Sequence, residues 1–231
     1  MGCFMKLSVK LFIIVLLGTI ITLWISFSTS ESKINLVTMG DGISLGITSY
    51  NVVGVSYNDY LKEVYENKNN LQYYNNEFSK QHMRIDDLME ILEKNVVGEK
   101  SKKPIKQILA RADIITIGIG MDELIDLSIK NKLDRDAIDQ FVSNYRLFLK
   151  TLRTFYDREI IVLGLYPAYD FSKGDVIDVN FQLQSIVGEY KGVFIDISAL
   201  SLNPEYYSNS TSYYMNYKGH KAIFEIMRKV L

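Results

Sequence analysis

The chain has 231 residues, of which 48% are hydrophobic and 23% charged, and its formal net charge is −1 at pH 7. This composition is typical of a globular protein of about one domain. The near-neutral charge argues against a basic nucleic-acid-binding surface, so we expect no nucleic-acid partner. Because Cys3 is the only cysteine, the chain can contain neither an internal disulfide nor a cysteine-based zinc site.

An uncharged apolar run occupies residues 11–27, close to the short limit of about 17 residues for a membrane-spanning helix. Lys6 and Lys10 precede this run, and no acidic residue occurs before Glu31. By the positive-inside rule, these charges predict a cytoplasmic segment at 1–10 and a transmembrane signal anchor at 11–28. A linker at 29–33 and an extracytoplasmic domain at 34–231 then follow, which places the protein in the cell membrane with a single span.

Cleavage of the N-terminal segment is the alternative, and it would release a secreted domain. Ser26-Phe27-Ser28 has the small-x-small pattern of a signal-peptidase site. The apolar run is nevertheless longer than the usual signal-peptide core of about 7 to 15 residues. We therefore favour a retained anchor.

Beyond residue 33, compact apolar runs alternate with amphipathic segments. We predict strands at residues 34–39, 71–78, 112–119, 160–165 and 193–197. Helical spacing of apolar residues predicts helices at residues 57–66, 86–92, 134–156, 179–189 and 218–230, with Pro104 in the first turn of a further helix. Alternation of this kind predicts an α/β domain, with a five-stranded parallel sheet of flavodoxin-like order and helices on both faces.

The turn after the first predicted strand reads G-D-G-I-S-L-G over residues 40–46. It resembles G-D-S-x-S/T-x-G, the nucleophile block of the SGNH/GDSL hydrolases, with Gly42 at the position of the catalytic serine. The resemblance is to the membrane-anchored lipase/acylhydrolase type of Gram-positive bacteria and extends over residues 34–231. It implies the SGNH-hydrolase fold. A glycine has no hydroxyl, so no acyl-enzyme can form at position 42, although its N–H could still bind an oxyanion.

The second and third family blocks, which supply oxyanion donors, also differ here. The second corresponds to N-N-E-F-S-K-Q-H-M-R, with Lys80 or Gln81 near the position of the donor glycine. The third block, G-x-N-D, corresponds to residues 119–122 and includes Gly120 and Asp122, with Met121 in place of the asparagine. A thioether cannot donate a hydrogen bond.

The last family block, D-x-x-H-P-N-x-x-G-H, corresponds to T-S-Y-Y-M-N-Y-K-G-H at residues 211–220. Asn216 and His220 set this register, which puts Thr211 in place of the aspartate and Tyr214 in place of the general base. Tyrosine has an ordinary pKa of about 10, so it is a poor base near neutral pH. All positions of the family triad are therefore substituted, and the resemblance implies a domain without the family mechanism.

A relocated triad of Ser44, His82 and Asp41 is the alternative that keeps catalysis, and it requires a base within hydrogen-bond reach of the nucleophile. Ser44 also has a simpler predicted role, which is to bond N–H groups at the start of the first helix. We expect Asp41 and Asp122 to cap or fix loops. We expect His220 to be a packing residue.

The sequence predicts no cofactor and no metal site, since the domain lacks cysteine and clustered histidine. The candidate ligand pocket comprises Asp41, Gly42, Ser44, Gly120, Asp122, Tyr214 and Asn216. A tyrosine-rich segment contains Tyr206, Tyr207, Tyr213, Tyr214 and Tyr217. This segment is either a carbohydrate-stacking or partner-binding surface, or ordinary aromatic packing.

Three functions stay open from the sequence. The one we favour is a non-catalytic SGNH-like module, or pseudoenzyme, that binds a cell-envelope polymer, a lipid or a membrane protein. The second is an active esterase, lipase or acylhydrolase that acts on acylated wall polymers or lipids through a rearranged nucleophile. The third is a purely structural interaction module.

Overall fold

A computed structural model describes residues 33–168, 173–208 and 212–231. The predicted transmembrane anchor and Thr211 lie outside these residues. No helix in the part of the chain that the structure describes is both long and apolar enough to cross a membrane. Residues Ile34–Leu231 form one compact unit.

Five parallel strands form one sheet in the order β2-β1-β3-β4-β5. They are β1 (Ile34–Gly40), β2 (Leu71–Ser79), β3 (Ile114–Gly118), β4 (Glu159–Leu163) and β5 (Val193–Ile195). The predicted five-stranded parallel sheet of flavodoxin-like order is confirmed. β3 is buried at every position, as expected for a central parallel strand with helices on both faces.

Eight α-helices occur among the described residues. They are α1 (Gly42–Leu45), α2 (Tyr57–Asn67), α3 (Ile85–Glu93), α4 (Ile105–Leu109), α5 (Met121–Ile129), α6 (Arg135–Arg153), α7 (Lys173–Glu189) and α8 (Tyr217–Met227). Two short 3₁₀ helices, Ser198–Leu202 and Pro204–Tyr206, lie between β5 and α8.

The helices divide between the two faces of the sheet. α2 packs against α8, whereas α6 packs against α3 and α7. The strand order explains this division. The connection from β1 to β2 runs in the opposite direction along the sheet to the later crossovers. Because parallel crossovers are right-handed, the helix of the β1–β2 connection lies on the opposite face of the sheet from the helices of the later crossovers.

Two differences from the predicted elements bear on the site. The helix predicted from residue 134 begins at Arg135, because the Asp134 side chain caps it by accepting the Ala137 N–H. α5 was not predicted, since its buried residues directly continue the apolar run of β3. Gly120, with φ of 114°, separates the two in a left-handed conformation that favours glycine.

Candidate functional site

The candidate site lies where β1 and β3 end, at the point where the strand order reverses direction. Gly40 at the end of β1 is in register with Ser79 of β2 and Gly118 of β3. The loops that follow these three strands therefore start side by side. Ligands of open α/β sheets bind in this crevice.

The fully buried Asp41 carboxylate ties the loop after β1 to the loop after β3. Its Oδ1 accepts the Ile43 N–H at 3.1 Å and so caps α1. Its Oδ2 accepts the N–H groups of Gly120 at 2.9 Å and Asp122 at 3.2 Å. Burial raises the pKa of the Asp41 carboxyl, and the Asp122 carboxylate raises it further, while the three N–H donors act in the opposite direction. The loop-fixing role predicted for Asp41 agrees with this geometry.

Asp122 is the centre of the site, because its carboxylate joins three separate segments of the chain. Oδ2 accepts the Gly42 N–H at 3.1 Å and the His82 N–H at 2.7 Å. Oδ1 accepts the Tyr214 hydroxyl at 2.7 Å. The side chain is 3% exposed, so these donors replace the water that a carboxylate would otherwise bind.

The Tyr214 ring fills the space beside Gly42. A Cβ atom added at Gly42 would lie 2.3 Å from Tyr214 Oη and 2.7 Å from two carbons of its ring. No side chain fits at position 42 unless Tyr214 moves. Burial, followed by the Asp122 carboxylate, raises the pKa of the Tyr214 hydroxyl far above its usual range, so this group donates a hydrogen bond to Asp122 and remains protonated.

The predicted register of the third block needs a correction of one residue. Met121 was placed at the position of the family asparagine, but it is buried in the hydrophobic core at 1% exposure. Its neighbour Asp122 supplies the side chain that enters the site. A carboxylate has the shape of the asparagine amide, but it only accepts hydrogen bonds. It therefore bonds to the N–H donors of the site, whereas an amide would supply a further N–H donor.

His82 contributes its backbone to the site. The sequence predicts the second-block donor near Lys80 or Gln81, and in the structure the His82 N–H lies there and donates to Asp122. The φ of His82 is 62°, which lies in the left-handed region. The imidazole side chain is exposed.

Ser44 is buried, and the structure does not bring it together with His82. Its hydroxyl oxygen lies within hydrogen-bond distance of the Tyr57 hydroxyl at 2.9 Å and of the carbonyl oxygens of Gly118 at 3.0 Å and Met39 at 3.3 Å. The helix-capping role predicted for Ser44 belongs to Asp41.

Asn216 and His220 hold α8 in place. Asn216 caps the helix, since its Oδ1 accepts the N–H groups of Lys218 and Gly219. His220 is fully buried, stacks on Tyr57 and lies with Nε2 3.2 Å from the Ile47 carbonyl oxygen. Burial lowers the pKa of His220 to about 4, so the imidazole is neutral at pH 7.

Sequence reasoning missed Glu123, which fixes the loop that carries His82. Its Oε1 accepts from Arg84 Nη2 at 2.8 Å and Nε at 3.2 Å, and its Oε2 accepts the Ile85 N–H at 3.1 Å. The sequence signal available for this role was the pair of acidic residues in the first turn of a helix that follows a buried strand. Because Asp122 and Glu123 are adjacent, the start of α5 holds residues 82–85 at both ends.

No group of three or more potential metal ligands from His, Cys, Asp and Glu occurs in the part of the chain that the structure covers. Asp41 and Asp122 lie close together, but backbone N–H groups and the Tyr214 hydroxyl already occupy their oxygens. These two aspartates therefore do not present free carboxylate oxygens to a cation.

Comparison with solved structures identifies proteins of the same fold. The lipase Lip_vut3 from a goat rumen metagenome superposes with a TM-score of 0.68 and 19% identity, over 85% of this chain and 97% of the lipase. The chain therefore shares the fold of this lipase. A catalytic mutant of Axe2, an acetylxylan esterase from Geobacillus stearothermophilus, gives a TM-score of 0.64 and 14% identity, over 86% and 94% of the two chains.

A lipase/acylhydrolase from Enterococcus faecalis has a TM-score of 0.61 and 15% identity, over 87% of this chain and 95% of that one. These structures are lipase/acylhydrolases and acetylxylan esterases of the SGNH/GDSL type, so the chain has an acylhydrolase-like fold. No family model and no curated protein matches the chain by sequence.

Proposed function

We propose that this chain is a non-catalytic, hydrolase-like binding module of the cell envelope, held in the membrane by residues 11–28 with residues 34–231 outside. Gly42 supplies no nucleophile, and Tyr214 donates a hydrogen bond where the family places a general base. The proposed anchor depends on the apolar run and on the two lysines that precede it.

The Asp122 carboxylate is the observation that carries the proposal. In an ester hydrolase of this fold, backbone N–H groups stabilise the oxyanion that develops on the substrate. Here the Gly42 and His82 N–H groups point at a fixed carboxylate oxygen of the protein itself. A substrate carbonyl would have to displace a buried, triply hydrogen-bonded charge, which is strongly unfavourable.

An active esterase with a rearranged nucleophile is the competing function, and the similarity in fold to lipases and esterases is the observation that favours it. Ser44 is the serine that follows β1 most closely, yet the residue is 2% exposed and its hydroxyl faces the carbonyls of Gly118 and Met39. A nucleophile in that position could not reach a substrate unless α1 rearranged.

Hydrolysis assays on the purified full-length protein separate the two functions. We expect no hydrolysis of p-nitrophenyl acetate or butyrate above the rates of the Ser44→Ala and His82→Ala variants, and no labelling by a fluorophosphonate probe. Turnover that survives purification and disappears in either variant would establish the esterase instead. The two variants serve as matched controls, since any contaminating esterase contributes equally to all three preparations.

A further inference from the structure

The site at Gly42 is sealed by Tyr214, but the same sheet edge has an open region beside it, beyond the ends of β4 and β5. A cavity of about 630 Å³ is formed by the segment after β4, the two 3₁₀ helices and the chain before α8. Its volume falls within the range of about 300–1,000 Å³ that is usual for small-molecule sites. Tyr207, from the tyrosine-rich segment, lines it.

The described lining combines apolar surfaces with hydroxyl groups and carries no charge. Two prolines, Ala168, Leu202 and the Tyr207 ring supply the apolar part, and Ser201, Ser208 and Ser212 supply hydroxyls. An ionic ligand would lose hydration here without gaining an ion pair from the described lining, and this loss is costly. A purely aliphatic ligand would cover the Tyr207 hydroxyl, to which no described residue bonds, and leave it unsatisfied.

The Ser201 and Tyr207 hydroxyls keep hydrogen-bonding capacity for a ligand, whereas Ser212 Oγ already donates to the Tyr214 carbonyl and accepts the Tyr214 N–H. Ser201 Oγ donates to the Ser198 carbonyl at 3.0 Å, which leaves its oxygen lone pairs as acceptors. No described residue bonds to the Tyr207 hydroxyl, which can both donate and accept. Burial raises the pKa of Tyr207 to about 12, so that this hydroxyl is neutral over the physiological range.

We propose that this cavity binds a neutral saccharide of one or two rings. A sugar ring presents a C–H face that packs on the Tyr207 ring and on Leu202, and its hydroxyls bond to the serine oxygens around the rim. The proposal rests on the binding role proposed above and names the chemistry of the ligand. It also separates the tyrosines by role, because Tyr214 seals the site at Gly42 whereas Tyr207 faces the cavity.

Binding of defined disaccharides to the purified full-length protein tests the inference, in a detergent without a sugar headgroup. Isothermal titration calorimetry with xylobiose, cellobiose and diacetylchitobiose should give a Kd of about 1 mM or lower for at least one of them, with digalacturonate at least about tenfold weaker. Tyr207→Ala should weaken binding about tenfold, and Ala168→Trp, which fills the cavity, should abolish it.

Tyr217→Ala is the matched control, because Tyr217 belongs to the same segment but is 59% exposed at the start of α8 and does not line the cavity. Its affinity should equal that of the unmodified protein. Tyr207→Phe, which keeps the ring, provides a milder variant if Tyr207→Ala does not fold. The proposal would be overturned if none of the three neutral sugars binds or if digalacturonate binds more tightly than they do. It would also be overturned if Ala168→Trp leaves binding intact.

The outcomes for the cavity and for the non-catalytic role are distinguishable. If no sugar binds and no ester is hydrolysed, the saccharide proposal is wrong and the non-catalytic role stands. Ester hydrolysis that depends on Ser44 or His82 removes the non-catalytic role whatever the sugars do.

Discussion

The two parts of the sheet edge use their hydrogen-bonding groups in opposite ways. Above β1 and β3, Asp41 and Asp122 accept from buried N–H and O–H donors, and the Tyr214 ring fills the remaining space. Above β4 and β5, serine hydroxyls and Tyr207 face a cavity of about 630 Å³. The polar groups of the first region therefore stabilise the fold, whereas those of the second are available to a ligand.

This contrast assigns different experimental signatures to the two regions. Substitutions in the sealed region should change the free energy of unfolding, because buried polar groups without partners are costly. Substitutions in the cavity should change affinity with little effect on unfolding.

The largest effect is expected for Asp122→Ala. The substitution removes the acceptor of three donors, of which those on Gly42 and Tyr214 are buried and that on His82 is partly buried. We expect a loss of about 4 kcal/mol in the free energy of unfolding. Urea denaturation measures it. Asp122→Asn keeps the shape and two acceptor bonds, so its loss should be less than half as large.

Asp126→Ala is the control for the same helix, because its carboxylate is half exposed and pairs with Lys130 on the surface. Its effect should stay below about 1 kcal/mol. Equal losses for the two aspartates would mean that Asp122 does not hold the sealed region together.

β3 and β4 were predictable from the sequence because each is a compact apolar run of the length that a buried parallel strand requires. β2 is a weaker pattern, since polar residues at positions 72 and 75–77 interrupt it. The location of the site was also predictable, since the G-D-G-I-S-L-G turn directly follows β1. α5 was missed because Ile119 and Met121 extend the apolar run of β3 to the first residue of the helix, and only Asp122 and Glu123 in its first turn mark the change of element. Helix boundaries further along the chain differ by a few residues, since α7 begins at Lys173, α6 ends at Arg153 and α8 ends at Met227.

The internal contacts of the site were not predictable in the same way. Sequence patterns indicate which residues follow a strand, but they do not indicate which of Met121 and Asp122 turns into the crevice. The pairing of Gly42 with Tyr214 joins distant parts of the chain, so no local pattern reports it. The Arg84–Glu123 ion pair arises in the same way from two loops that only the fold brings together.

A second prediction concerns pH and the buried His220. Its pKa falls from 6.5 in the unfolded chain to about 4 in the folded protein, because burial disfavours the charged imidazolium. The stabilisation is therefore complete above pH 6.5 and is lost as the pH falls toward 4, by about 3 kcal/mol in total. The raised pKa of Asp41 acts in the opposite sense, since it favours the folded state as that carboxyl gains its proton.

Urea midpoints at pH 7.5 and 4.5 test this assignment. His220→Gln should be less stable at pH 7.5 but should show a smaller change between the two pH values than the unmodified protein. His82→Gln, which changes the other histidine of the chain at an exposed position, is the control substitution. An unchanged pH dependence in His220→Gln would show that the acid sensitivity originates elsewhere.

The smallest effect, and the sharpest test of the sealed region, is expected for Gly42→Ala. Its Cβ atom would overlap the Tyr214 hydroxyl and ring, so we expect a loss of about 2 kcal/mol from overpacking. In a Tyr214→Ala background the same substitution should cost almost nothing, and the double-mutant cycle then gives a coupling energy close to the full 2 kcal/mol. Gly188→Ala is the matched control, because nothing lies within 4 Å of the added atom and the helix α7 should gain about 0.5–1 kcal/mol. If Gly42→Ala proves as harmless as Gly188→Ala, Tyr214 does not occupy the space at position 42, and that position is open to a side chain after all.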